Sequence, residues 1–370
     1  MERNGSGPSA LSLFAGCGGD TLGLERAGFS VPYFVEKWAP AVRTHKQNFP
    51  RSAPLGERAD GDITRIPDSE FERLSGRLDL IFAGFPCQGF SHAGRKDPND
   101  PRNRLFWEFV RAAQLARPKW IVGENVSGLL HRTTDDGVTP VGDVIVQAFE
   151  DIGYRMCPPF VLDSADFGVP QRRKRVFFVG SRAGSAFRPP SPSTRHSRVG
   201  VRDAITFSLR GALPVDPSRV EGGIGSWLEG EGQPVGPPHP YLKQKVGEDL
   251  VSFSRRVSPY HVEVVDLDRP AKTIHSGYEF QPRLFPALKT RESFFVRTFF
   301  PEELAEIQGL PRGFSLSGTA KEQIVQIGNA VPPALAAAVV KQVVRCDPDL
   351  ASPLVETGGL RAWSASVPTP

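Results

Sequence analysis

Apolar runs of strand length alternate with stretches of helical periodicity through the first half of the chain. Leu11 to Ala15 is a strand candidate that runs straight into Gly16-Cys17-Gly18-Gly19. Leu22, Leu24 and Ala27 then follow a helical pattern, closed by Gly28. Val31 to Val35 reads as the next strand and ends at Glu36. A loop carries Asp62-Ile63-Thr64, and the run Leu78 to Phe85 reads as a buried strand. Helices are predicted over about 105–115 and 141–152, with the strand Trp120 to Glu124 between them. Two further strand-like runs, 155–162 and 175–180, flank a basic cluster at Gln171 to Arg175. Strands alternating with helices in this way predict an α/β fold with a doubly wound sheet.

Beyond Arg182 the pattern weakens. Residues 183–250 are rich in Pro, Gly and Ser with little periodicity, which predicts a second, smaller, loop-rich domain. Short strands are expected near 262–267 and 271–275. Pro301 to Gln308 reads as a helix with proline in its first turn, and an Ala- and Val-rich helix over about 332–344 is expected to pack back on the first domain. The expected division is 1–181, completed by 325–346, then 182–324. The tail 347–370 has little to bury and is expected to be disordered. Gly89 to Arg104 is polar and reads as a long mobile loop, of the kind that is usually functional. No apolar run is expected to span a membrane, and the N-terminus has no signal-peptide pattern.

Composition narrows the class. Hydrophobic content of 39% and charged content of 23% describe a globular protein. The four cysteines lie far apart with neither disulfide nor metal-ligand spacing, so no metal site is expected. Net charge is only +4, yet residues 171–210 hold ten basic side chains against one acid, Asp203. A polyanion is the natural partner of such a segment, although a solvated basic loop would look the same.

Candidate chemistry gathers at the predicted strand ends, where open α/β sheets place their sites. Cys87 follows Pro86 in Gly84-Phe85-Pro86-Cys87-Gln88-Gly89-Phe90-Ser91. Pro86 fixes its own φ and biases Phe85 to an extended conformation, so the thiol sits on a stiff support. A free cysteine is more often a buried structural thiol, so its neighbours matter: Glu36, Asp62 and Glu124 also close predicted strands or sit in adjacent turns. The turn at 16–19 lacks the Gly-x-Gly-x-x-Gly spacing of dinucleotide enzymes, which disfavours a dehydrogenase.

Taken in order, Leu13-Phe14-Ala15-Gly16-Cys17-Gly18-Gly19, Glu36, Gly61-Asp62-Ile63-Thr64, Gly84-Phe85-Pro86-Cys87-Gln88, Glu124-Asn125-Val126, Gln171-Arg172-Arg173-Lys174-Arg175, Pro301 to Pro311 and Gly328-Asn329-Ala330-Val331-Pro332 resemble the C5-cytosine DNA methyltransferase family over about ninety per cent of the chain. The resemblance implies a Rossmann-like, S-adenosyl-L-methionine-dependent methyltransferase domain with a target-recognition domain. It implies Cys87 as the nucleophile at carbon 6, Glu124 at nitrogen 3, Arg175 at O2 and Arg173 as an organiser of that pocket. For the cofactor it implies Phe14, Gly16, Gly18, Gly19 and Pro86, with Glu36 on the ribose, Asp62 and Ile63 on the adenine, Leu105 beside it, and Asn329 and Val331 at the methionine end. Duplex DNA is the implied partner, reached by flipping the base out of the helix. Ser91, Arg95 and Lys96 then belong to a closing loop, and Thr273 and His275 to a recognition loop. A cytoplasmic, nucleoid-associated monomer, paired with a restriction endonuclease in function, completes the picture.

Two positions depart from the family. Lys37 stands where an apolar residue usually covers the adenine, with Trp38 next, and Asp20-Thr21 follow the glycines where an apolar residue is more usual. Two rival readings are a tRNA cytosine-C5 methyltransferase, disfavoured because the chain has no Cys-Phe-Thr, and a DNA-binding relative without catalysis, disfavoured by the intact Cys87, Glu124 and Arg175.

Overall fold

Four parallel strands lie at the centre of the molecule, each a near-continuous apolar run because both faces are covered. In chain order the first strands and helices are β1 (Ser9–Leu13), α1 (Gly19–Arg26), β2 (Ser30–Val35), α2 (Ala39–Asn48), β3 (Ala53–Pro54), α3 (Asp68–Glu72), β4 (Leu80–Ala83), α4 (Arg104–Ala116), β5 (Trp120–Val126) and α5 (Val141–Asp151). Three more strands follow, β6 (Arg155–Met156), β7 (Phe160–Asp163) and β8 (Lys174–Ser181). The computed structural model describes residues 7–56, 59–86, 104–134, 137–194, 197–220, 223–238, 243–244, 251–252, 263–278 and 284–350.

The sheet has eight strands in the order β3-β2-β1-β4-β5-β8-β6, with β7 also paired to β8. The pairings from β3 to β5 are parallel. β8 runs antiparallel to β5, and β6 and β7 run antiparallel to β8. The doubly wound expectation therefore holds, with an antiparallel edge on the parallel sheet. Side chains alternate across it as a pleat requires. Leu11, Ile81, Ile121 and Phe178 face a core shared with α3, α4 and α5. Ala10, Leu80, Phe82, Val122, Phe177 and Val179 face the other side.

That second face is closed by the far end of the chain. Helices α6 (Pro301–Ile307), α7 (Ala320–Asn329) and α8 (Pro333–Cys346) end the described fold, and α8 lies against α1. Gly23 permits the approach, since a Cβ there would sit 2.6 Å from that of Ala336. The stretch Ala320–Cys346 is long and apolar enough to cross a membrane by length and composition, but 72% of its apolar window is buried in the fold, where it forms two core helices.

The residues after β8 form a small four-stranded sheet, in the order Leu228–Glu229, Ala287–Lys289, Phe294–Val296, Leu213–Val215. Two shorter pairings, Lys243–Gln244 with Val251–Ser252 and Glu263–Val264 with Leu284–Phe285, stand apart from it. The strand expected at 262–267 shrinks to those two residues. Residues 271–275 are not a strand, because their polar groups turn aside to the Pro170–Arg172 backbone and to the Gln171 side chain. Helices α2 and α7 went unread in the sequence. The tail also differs: Trp120 donates to the Asp347 carboxylate at 2.8 Å and Leu350 is buried, so the first residues after α8 pack on the core. Residues 351–370 lie outside the described part.

One buried ion pair joins the small sheet to α6. Arg297 and Glu303 meet in bidentate fashion, 2.7 Å on each arm, with almost no solvent access. The remaining Arg297 donors reach the Ser208, Thr206 and Thr298 carbonyls, and Glu303 also accepts from the Thr206 and Phe300 amides. Removing one partner strands the other charge, so Arg297→Met is expected to cost about 3–5 kcal/mol in urea unfolding. Arg297→Met combined with Glu303→Gln should recover only the part due to the stranded charge, since one backbone amide and three carbonyls still lose their partners. A single variant as stable as the wild type would contradict the reading.

Candidate active site

Parallel register sets the first row of the site. Leu13 pairs with Ala83 and Ala83 with Gly123, so Phe14, Gly84 and Glu124 form the next row at the carboxyl edge. A Cβ on Gly84 would lie 3.7 Å from Glu124 Oε2, 3.4 Å from Val331 Cγ2 and 4.0 Å from the Phe14 carbonyl. The bare backbone of Gly84 thus lets three elements converge. Phe14 holds φ at 56°, which is strained for a bulky side chain and costs on the order of 1–3 kcal/mol. Such strain concentrates at functional sites.

The antiparallel pairing of β5 and β8 supplies the charges. Glu124 is opposite Phe177 and Val126 opposite Arg175, which makes Glu124 and Arg175 diagonal neighbours on one face. Arg175 Nε donates to Glu124 Oε1 at 2.9 Å, with both side chains nearly excluded from water. Burial pushes the Glu124 carboxyl above the ordinary carboxylate range, against the opposing pull of Arg175 and Arg173. Arg173 is almost fully buried and donates to the carbonyls of Ile274, Gly328 and Ala330 at 3.2, 2.7 and 3.2 Å. Burial, reinforced by Arg175 and opposed by Glu124, lowers its pKa to about 9, so it stays charged at neutral pH.

On the other face of β5, Asn125 Nδ2 donates to the Phe85 carbonyl at 2.9 Å while Asn125 Oδ1 accepts from the Val126 amide. Phe85 is itself packed among Phe106, Phe109 and Phe178. The backbone entering Pro86 is therefore clamped from both sides, immediately before Cys87. Cys87 and the loop residues Ser91, Arg95 and Lys96 lie outside the described residues.

The cofactor-side candidates line a neighbouring stretch of the same edge. Glu36 Oε2 accepts from the Gly16 amide at 2.8 Å and Oε1 from the Trp38 amide at 2.7 Å. Each oxygen keeps a lone pair, so a carboxylate held this way still accepts from two adjacent hydroxyls. Gly18 and Gly19 leave no room for side chains: a Cβ on Gly18 would meet Phe49 at 2.3 Å, and one on Gly19 the Val331 carbonyl at 2.2 Å. Ile63 is buried, Leu105 and Pro86 are half-buried, and Asn329 is exposed beside the buried Val331. Lys37 is 72% exposed and its ammonium meets Asp62 Oδ2 at 2.6 Å, while Trp38 is half-buried at the start of α2. Burial raises the Asp62 pKa, but the Lys37 and Thr64 bonds outweigh it and hold the carboxyl below its ordinary value. This set fits a nucleoside with a charged tail, the shape of S-adenosylmethionine: acceptors for hydroxyls, a carboxylate edge and a bare backbone turn.

A cleft of about 860 Å³ opens beside Arg175, lined by Val126, Ser127, Val161, Asp163, Asp166, Arg172, Lys174, Arg198, Thr273 and His275. Thr273 donates to the Arg172 carbonyl at 2.7 Å, and His275 is exposed on the same wall. Arg198 is held by Asp166 at 2.6 Å. Among the described residues, no group of acidic, His or Cys side chains has the makings of a metal site.

This arrangement is a buried polar site at the carboxyl edge of an α/β sheet, with a basic cleft beside it. Residues 9–207 and 243–345 match the family described as C-5 cytosine-specific DNA methylase, so the chain belongs to that family and is a DNA cytosine-5-methyltransferase by class. Among curated relatives it is similar to the Type II methyltransferase M1.HphI of Haemophilus parahaemolyticus, with 34% identity over 90% of this chain and 86% of that one. It is also similar to the Type II methyltransferase M.DdeI of Desulfomicrobium norvegicum, with 30% identity over 90% and 88%. In fold it resembles a putative DNA modification methyltransferase from an E. coli prophage (TM-score 0.62, 22% identity, 92% of this chain and 99% of that one). It resembles an Entamoeba histolytica methyltransferase, EhMeth, equally well (TM-score 0.64, 18% identity, 94% and 100%).

Sequence reasoning gave no role to Asn125, Gln308 or Asp20. Asp20 is buried in the first turn of α1, where it accepts from the Ser12 hydroxyl, and its Oδ1 has no hydrogen-bond partner among the described residues. Its unexpected place after the glycines was the available signal. Burial pushes the Asp20 carboxyl from 3.8 up to about 7. The folded protein then holds this proton more tightly than the unfolded chain. The stability it brings is complete below pH 3.8 and is lost as pH rises through about 7. Asp20→Asn should therefore gain melting temperature over the wild type at pH 8 and less, or nothing, at pH 5. A gain that shrinks as pH rises would contradict this.

Proposed function

We propose that the chain methylates carbon 5 of cytosine in duplex DNA by covalent addition of Cys87, with Glu124 and Arg175 holding the base. The buried Glu124–Arg175 pair, in the row of the sheet edge that also holds Gly84, three residues before Cys87 in the chain, is the observation that supports this most. Carbon 5 is a poor nucleophile until something adds at carbon 6. The Cys87 thiolate forms the carbon–sulfur bond there, and the displaced π electrons move toward nitrogen 3. Glu124 meets nitrogen 3 as a proton donor, a role favoured by a carboxyl whose proton affinity burial has raised. Its other oxygen accepts from the exocyclic amine, which separates cytosine from thymine. Arg175 donates to O2 and stabilises the charge collecting there. Arg173 keeps the pocket walls together.

S-adenosylmethionine, when bound, supplies the electrophilic methyl group that carbon 5 accepts. Phe14, Gly16, Gly18, Gly19 and Pro86 would border it, Glu36 would take the ribose hydroxyls, Asp62 and Ile63 the adenine amino edge, Leu105 the adenine face, and Asn329 and Val331 the methionine end. Lys37 holds Asp62 at the rim, which leaves Trp38 as the apolar neighbour. Once the methyl is in place, a base removes the carbon 5 proton, the double bond re-forms and the Cys87 thiolate leaves.

An intact duplex keeps cytosine out of reach, so the nucleotide swings out into the pocket. Arg172, Lys174 and Arg198 along the cleft supply the salt-dependent attraction to phosphates, and Thr273 and His275 sit beside the flipped strand. Ser91, Arg95 and Lys96 close over it. Residues 182–324 read the target sequence, a single copy carries every named group, and the Type II names of the relatives support a restriction endonuclease as functional companion.

Incubation with tritiated S-adenosylmethionine and either duplex DNA or tRNA tests the reading: label belongs in the DNA at carbon 5, and label in tRNA alone would reject it. Cys87→Ala is expected to abolish transfer while leaving DNA binding measurable. Glu124→Gln should lower the transfer rate by roughly 10²–10⁴-fold, the usual contribution of a positioned proton donor. Full activity in Cys87→Ala would eliminate the covalent mechanism, and full activity in Glu124→Gln would remove Glu124 from the role of proton donor.

A further inference from the structure

Two buried glutamines join the recognition loop to the segment that covers the cofactor turn. Gln171 and Gln308 are both fully buried. The Ile274 amide donates to Gln171 Oε1 at 3.0 Å, Gln171 Nε2 donates to Gln308 Oε1 at 2.6 Å, and Gln308 Nε2 donates to the Ala330 carbonyl at 2.6 Å. The ends leave no choice of orientation, since a backbone N–H only donates and a carbonyl only accepts. The result is a one-way chain of hydrogen bonds running from Ile274 to Ala330.

Both ends lie next to function. Ile274 sits between Thr273 and His275, which line the cleft. Ala330 precedes Val331, whose carbonyl occupies the space a Gly19 side chain would need. The backbones also meet directly, because a Cβ on Gly328 would lie 2.3 Å from the Ser276 nitrogen. Arg173 parallels the chain through Ile274 and Ala330 carbonyls. A shift of the loop toward a nucleic acid is thus transmitted to the covering segment, and the reverse.

We infer that Gln171 and Gln308 are positioning residues whose relay couples DNA engagement at 273–275 to closure of 329–331 over the cofactor. The inference rests on the function proposed above. Coupling of this kind is reciprocal: each ligand tightens the other by the same factor, typically about 5- to 150-fold. Neither glutamine touches a ligand, so the relay acts only through the two segments it joins.

The test is a binding cycle with S-adenosylhomocysteine, which cannot be turned over, and sheared unmethylated genomic DNA. In the wild type, DNA is expected to tighten S-adenosylhomocysteine binding within that 5- to 150-fold range. In Gln308→Met the factor falls severalfold, the remainder being carried by Arg173 and the Gly328–Ser276 contact, while affinity for S-adenosylhomocysteine alone changes little. Gln171→Met and the double variant lose no more than Gln308→Met does, since any of these cuts the same relay. Reduced affinity for each ligand with the coupling factor intact would show a merely structural pair and overturn the inference. Hydrogen exchange on the wild type keeps the test open if the variants do not fold. S-adenosylhomocysteine alone should slow exchange at the Ile274 amide, and unchanged exchange there overturns the inference too. A wild type that binds no S-adenosylhomocysteine would sink the proposed function and the relay together, whereas one that binds both ligands without coupling sinks the relay alone.

Discussion

A carboxylate and a guanidinium held 2.9 Å apart, almost out of contact with water, are costly for any fold to hold, at several kcal/mol of lost hydration for each charge. Glu124 and Arg175 stay in place because the sheet gives neither an alternative. β8 runs antiparallel beside β5, which puts the two on one face and diagonal to each other. Arg173, the residue just before β8, is locked to three backbone carbonyls and cannot drift in to take the place of Arg175. The field of the two guanidiniums offsets part of the burial cost of Glu124, yet burial still dominates and leaves the carboxyl inclined to keep a proton. That balance suits the proton-donor role proposed for Glu124.

The opposite ends of the chain complete this geometry together. α8 packs on α1, so Gly19 and the segment at Ala330-Val331 approach closely enough to exclude a side chain between them. The Gly84 backbone lies against Val331 on one side and Glu124 on the other. The proposed cofactor and base edges therefore share a wall, and the hydrogen bonds through Gln171 and Gln308 tie that wall to the segment at Ile274. A buried cluster including Ile274, Leu304, Ile307, Ile327 and Ala330 gives the connection its apolar backing.

Much of this was legible in the chain because its parallel strands are buried on both sides and so read as unbroken apolar runs. Leu11 to Ala15, Leu78 to Phe85 and Trp120 to Glu124 announced themselves, and the polar residues ending them marked the edge where chemistry belongs. What escaped notice has physical causes. Helix α2 (Ala39–Asn48) carries Arg43, His45 and Lys46 and buries only a narrow stripe, so its periodicity is faint. Helix α7 (Ala320–Asn329) starts with a Thr319–Glu322 capping box, a readable signal, but its apolar positions are few. Residues 271–275 looked like a strand because Ala271 and Ile274 are buried, yet their hydrogen bonds go to Gln171 and its neighbours. The partner of a buried glutamine 137 positions away in sequence cannot be read from periodicity at all.

In the proposed mechanism the sulfur of Cys87, the residue after Pro86, bonds to the pyrimidine ring that Glu124 and Arg175 would hold. The most direct measurement uses DNA copied with 5-fluorodeoxycytidine triphosphate in place of the normal nucleotide, because fluorine at carbon 5 cannot leave as a proton does and the adduct is trapped. With S-adenosylmethionine present, mass spectrometry of the digested complex should find the modified base attached to the peptide containing Cys87. An enzyme that methylates ordinary DNA yet forms no adduct, or forms one at another residue, would contradict the account.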